Sequence, residues 1–179
     1  MNLSVRKIVI SGILGAISIL LGITRLGFIP VPTPAGHATI MHIPVILGGV
    51  LEGPVVGLIT GAIFGLFSFL QPGAPFFADP LVSILPRLLI GITAYLAYTA
   101  TKRINSILAC ALAGAIGSAT NTILVLGMAT WRGYLPAELS ISIGLLHGIP
   151  ELIVAAILTV ILVKGIRRIR PEEEQELSS

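Results

Sequence analysis

The chain has 179 residues, of which 55% are hydrophobic and only 11% are charged, with a formal net charge of +3. A soluble domain carries about 25% charged residues, so composition excludes a soluble enzyme, a disordered chain and a nucleic-acid binder as whole-chain readings. The mean hydropathy of +1.01 points to the bilayer instead, where one crossing takes about 20 apolar residues.

Apolar runs in chain order predict six spans. The first covers residues 8–24, and a proline-rich stretch, 26–38, follows. The second, 39–51, is short and ends in the tight turn Glu52-Gly53-Pro54. The third covers 55–70, and the loop 71–80 after it carries three prolines. The fourth, 81–101, is closed by Lys102 and Arg103. The fifth covers 107–130, the loop 131–139 leads to the sixth, 140–163, and a charged tail, 164–179, follows. The expected fold is one all-α integral membrane domain over 1–179, with no room for a soluble unit. Arg6 and Lys7 ahead of an apolar run also fit a secretory leader. Thr24-Arg25-Leu26 offers no small-x-small cleavage site, so the first span is expected to be retained. The single cysteine, Cys110, excludes an internal disulfide and is expected to pack in its apolar run.

Lys and Arg mark the cytoplasmic side of membrane proteins. With six spans, Arg6, Lys7, Lys102, Arg103, Lys164, Arg167, Arg168 and Arg170 share one side, against Arg25 and Arg132 on the other. Both termini are therefore expected in the cytoplasm. Phe28, Phe69, Phe76, Phe77, Trp131 and Tyr134 fall at the outer boundary, as an interfacial belt from which a few rings can line a pocket.

Small residues recur every four positions in three spans. Span 3 has Gly57, Gly61 and Gly65, and span 5 has Ala109, Ala113 and Gly117. Span 1 has Ser11 with Gly15, Gly12 with Ala16, and Ser18 with Gly22. Such stripes let helix backbones approach closely in lipid. In span 3 they predict packing inside the bundle. In span 1 two stripes lie on neighbouring faces, so one can pack inward and the other can meet a partner protein.

A charge at the centre of a crossing helix costs roughly 2.5–3.5 kcal/mol, which makes buried ionisable groups functional candidates. Helical rise places Arg87 about 9 Å below the outer surface, His147 about 10 Å, Asn121 about 13 Å and Glu151 about 16 Å. His42 lies shallow on span 2, and His37 stands at its entrance. The polar groups of spans 2, 4, 5 and 6 thus gather in the outer half, as a pocket opening outward would require. Pro44, Pro86 and Pro150 add freed carbonyls beside it. Other readings stand beside this one. Arg87 and Glu151 could be a buried ion pair, His147 and Glu151 could share a metal, the histidines could be interfacial, and Asn121 could bridge helices.

The run HATIMHIPVILGGVLEGPVVGLITGAIFGLFS, residues 37–68, resembles the S-components of energy-coupling factor (ECF) vitamin transporters, the pantothenate type above all. The resemblance extends over six spans with a proline-rich first loop. It implies a substrate-binding membrane subunit of an ABC importer in a bacterial plasma membrane, not an enzyme. It implies a site near the outer face, covered by the loop between spans 1 and 2 and lined mainly by spans 4, 5 and 6. Partners follow as well: a transmembrane coupling subunit and two cytoplasmic ATPases. The first helix of the family usually docks through Ala-xxx-Ala, for which this chain has Gly12-xxx-Ala16, with Ser11-xxx-Gly15 beside it. No Walker-type loop occurs, so ATP is expected to be used by the partners and no cofactor or metal is expected here.

The expected substrate-binding set is Arg87, Asn121, His147, Glu151, His42 and His37. Arg87 suits an anionic ligand because its planar fork fits carboxylate, and Glu151 suits hydroxyl or amide donors. Pantothenate has these groups; folate, pyridoxine or hydroxymethylpyrimidine, and cobalamin stay open. Residues 27–36, with Pro30, Pro32 and Pro34 between glycines, are expected to form a lid. The rival class is an intramembrane metal-dependent hydrolase using His147 and Glu151, but the chain has no Gly-x-Ser-x-Gly and no His-Glu-x-x-His. A second rival, an assembly subunit without ligand, predicts that the outer polar groups are dispensable.

Overall fold

The computed structural model describes residues 4–30 and 37–169. Four helical stretches are long and apolar enough to cross a membrane: Val5–Ile23, Pro80–Thr101, Ser106–Trp131 and Ala137–Ile169. Two shorter apolar helices, Ile43–Glu52 and Pro54–Leu70, complete six rods.

Helix α1, Val5–Ile23, starts at Ser4, whose hydroxyl accepts the Lys7 N–H. Its inward edge is Ser11, Gly15 and Ser18, all buried. A Cβ at Gly15 would lie 2.7 Å from Ile63, so only glycine lets the third rod come this close. The opposite face, with Ile8, Gly12, Ile13, Ala16 and Ile17, is exposed. A short antiparallel pair follows, β1 (Phe28–Pro30) with β2 (His37–Thr39). The expected lid lies partly in 31–36, outside the described residues.

Helix α2, Ile43–Glu52, is apolar all round, and every residue from Ile43 to Val50 is buried. A helix of that pattern belongs at the centre of a bundle, and α2 touches α1 and all four rods that follow it. It starts four residues later than the expected span because 37–39 is a strand. Gly53, at φ 97°, turns the chain into α3, Pro54–Leu70. The glycine stripe of α3 lies against α5, Leu85–Thr101, which follows the short α4, Pro80–Ser83. A Cβ at Gly57 would sit 2.8 Å from Gly91 Cα and one at Gly65 would sit 2.9 Å from Ile84 Cα. At Gly61 it would strike the carbonyl oxygen of Arg87. The stripe therefore seats the backbone of Arg87.

Helix α6, Ser106–Trp131, packs between α5 and α8. Its small face, Ala109, Ala113 and Gly117, is buried, and Cys110 is buried in the core as expected. Spans 4 and 6, which carry Pro86 and Pro150, are not single helices. Span 4 breaks at Ile84, two residues before Pro86. Span 6 consists of α7 (Ala137–Ile143), a π-helical turn (Gly144–Gly148) and α8 (Ile149–Ile169). Pro150 has no N–H to give the preceding turn, and a wider turn is one way to absorb the lost bond. The helix also runs on past the expected end at 163, to Ile169.

Candidate functional site

A cavity of about 530 Å³ opens at the Trp131 end of the bundle, within the usual range of roughly 300–1,000 Å³ for small-molecule sites. Phe28, Thr39 and Met41 wall it on the strand side, and Phe64, Phe67 and Ser68 on α3. Phe76 and Phe77, from a 3₁₀ turn over Pro75–Ala78, close the third side. Arg87, Asn121, His147 and Glu151 complete it from three different rods.

Arg87 is only 4% exposed. Its Nη1 donates to the Val82 carbonyl at 2.8 Å. The guanidinium carbon lies 4.7 Å from the Phe77 ring centroid and 5.4 Å from that of Phe64. Its Nε finds no acceptor, and among the described residues no acid pairs with it. The Arg87–Glu151 ion pair open from sequence is not formed. Glu151 instead accepts the Thr39 N–H on Oε1 at 2.7 Å and the Thr122 hydroxyl on Oε2 at 3.4 Å. It ties the strand at the root of the first loop to α8 and α6. Asn121 is buried with its amide oxygen unpartnered. His147 sits half-buried in the π-turn, a deviation that often marks functional positions.

One histidine falls elsewhere. His42 is fully buried, outside the cavity wall, and neither ring nitrogen has a hydrogen-bond partner. Depth along the helix was right for the site, but rotation about the axis turns this residue to the core. One turn on, Ile46 packs on Gly117 of α6. His37 lies in β2, with its side chain outside the described residues. On α1, Gly12 has open space around it and Ala16 is exposed, whereas Ser11 and Gly15 are used inside the bundle. Burial removes Ser11 and Gly15 as a docking face.

Sequence reading missed Phe64, Phe67, Ser68, Gln71 and Thr122 in the wall. Thr122 had one usable signal, since it adjoins Asn121. The phenylalanines had none, because a ring at a cavity and a ring in lipid look alike in sequence.

The model of the family described as "ECF transporter, substrate-specific component" matches residues 6–163. The chain belongs to this family. As an S-component it is a transporter binding subunit and not an enzyme, which sets aside the metal-dependent hydrolase. Among the described residues no three His, Cys, Asp or Glu side chains gather to hold a metal. An S-component takes a small-molecule substrate without a cofactor and works with a transmembrane coupling subunit and ATPases that use ATP. The chain is also 31% identical over 159 residues to the "Pantothenic acid transporter PanT" of Lactococcus lactis subsp. cremoris (strain MG1363). That similarity covers 74% of this chain and 79% of the relative.

Proposed function

We propose that this S-component binds pantothenate and presents it for import across a bacterial plasma membrane, with both termini and the Lys102 loop in the cytoplasm. The observation that carries the reading is Arg87, a buried cation in the cavity wall with no acidic partner among the described residues. Burying an unpaired charge is costly, and a ligand carboxylate would supply the missing counter-charge. Pantothenate offers one carboxylate, with hydroxyls and an amide for Asn121, Thr122, His147 and Glu151. The phenylalanine walls accept its geminal methyl groups. The relative named for pantothenic acid supports the same ligand. Cobalamin, with its corrin ring, is a poor match to a cavity of about 530 Å³.

Calorimetric titration tests this. Pantothenate should bind the wild type far more tightly than its primary amide. Arg87→Ala should stay folded and lose about 2 kcal/mol or more of affinity, the scale of a charge-assisted contact. Arg87→Lys should rescue poorly, because an ammonium lacks the fork. Equal affinities for acid and amide in the wild type would end the proposal, and folate or pyridoxine would then be tried. Cysteines at Gly73 and Thr101 should label from outside and inside respectively; labelling of both from outside would refute the orientation.

A further inference from the structure

Neither Asp79 nor Arg132 lines the cavity, although Phe77, two residues before Asp79, does. Asp79 caps α4, with Oδ1 accepting the Leu81 N–H at 2.9 Å. Its Oδ2 accepts from Arg132 Nε at 2.7 Å and from the Tyr134 hydroxyl at 3.2 Å. Gly133, between the two donors, has φ 76°, a left-handed conformation that glycine adopts freely. That turn aims both neighbours at one carboxylate. The Leu81 N–H first, then Arg132 and Tyr134, hold the Asp79 carboxyl below its usual range, against the opposing effect of burial.

The segment fixed by this clasp is the one that touches the substrate anchor. The Ser83 hydroxyl donates to the carbonyls of Phe77 and Asp79, closing 77–83 into one piece. Phe77 covers the guanidinium of Arg87, and the Val82 carbonyl accepts its Nη1. Val82 is fully buried and packs with Val125 and Ala129 of α6, beside Phe76 and Phe77. Arg87 is therefore held on one side by a ring and on another by a carbonyl, both from the segment that Asp79 secures.

We propose that Asp79 and Arg132, helped by Tyr134, are positioning residues that set the orientation of the Arg87 fork, and thereby the preference for an anionic over a neutral ligand. The inference rests on Arg87 being the anion anchor. A fork recognises carboxylate through two parallel bonds, so its plane must be fixed. Releasing 77–83 lets that plane swing, which weakens a two-point contact and leaves a neutral ligand nearly unaffected.

The test is titration of pantothenate and its primary amide into detergent-solubilised wild type, Arg132→Gln, Arg132→Lys and Tyr134→Phe. Arg132→Gln should lose about tenfold in affinity for the acid, the scale of coupling between neighbouring groups, with the amide unchanged. Tyr134→Phe should fall between, and Arg132→Lys should recover part of the loss. Equal losses for acid and amide would make the clasp structural only and overturn the proposal, as would unchanged discrimination. A wild type that does not distinguish acid from amide would instead refute the anchor itself, and the proposal with it. If Arg132→Gln fails to fold, the same acid-to-amide ratio in Tyr134→Phe decides.

Discussion

The backbone N–H of Thr39 donates to Glu151 Oε1 at 2.7 Å, across 112 residues of sequence. The contact fastens β2, and with it the root of the first loop, to the opening turn of α8. One carboxylate thus forms part of the cavity wall and holds down the strand beside the cavity mouth.

Glu151→Ala should free that strand. Hydrogen exchange at the Thr39 amide should accelerate, and ligand should dissociate roughly tenfold faster, the scale of losing a hydrogen bond to a charged group. Glu151→Gln keeps an acceptor and should fall between. Exchange mass spectrometry and stopped-flow release provide the measurements. An unchanged rate at Thr39 in Glu151→Ala would show that the strand is held by something else.

Gly61→Ala should be costly although alanine favours helix by about 1 kcal/mol. The added methyl meets the backbone carbonyl of Arg87, which cannot rotate away. Overpacking of this kind costs roughly 1–3 kcal/mol and displaces α5. Thermal unfolding should come several degrees lower, with weaker ligand binding. Gly12→Ala, in open space, serves as the control: it should melt no lower than wild type, gaining from the same propensity, and should bind ligand as wild type does. Equal melting of both variants and wild type would refute the close approach.

Gly12→Leu or Ala16→Leu should spare ligand binding by the isolated subunit, because both positions lie on the exposed face of α1. Copurification with the coupling subunit, and uptake, should fall if a partner backbone approaches there. Full assembly by both variants would move the docking face away from this part of α1.

Much of the bundle was legible because lipid imposes simple demands. Apolar runs gave the rods, glycine spacing gave the close packing of α3 inside the bundle though not its partner α5, and ionisable groups in apolar runs singled out Arg87 and Glu151. The misses share a physical origin. Depth follows from counting residues along a helix, but the direction a side chain faces depends on which neighbour the helix meets. His42 stood at the right depth and faces the core. Glu151 was read as meeting ligand and not as holding Thr39, a pairing between distant segments. Asp79 and Arg132 are 53 apart, and nothing local in either loop announces the other. The prolines of spans 4 and 6 were visible, but not the form of the breaks they accompany.

The brevity of α2 has a consequence for evolution as well as for binding. Ten residues make a rod of about 15 Å, half the thickness of the hydrocarbon core. Above its first turn stand Thr39 and Met41, both in the cavity wall, so the vestibule occupies the depth that a full-length rod would have filled. The room in the cavity goes with a short central helix. The glycine contacts that join α2, α3 and α5 lie below that level or beside it. Substitutions at the rim should therefore leave the spacing of the helical frame intact, so the shape of the cavity can change without the bundle being rebuilt.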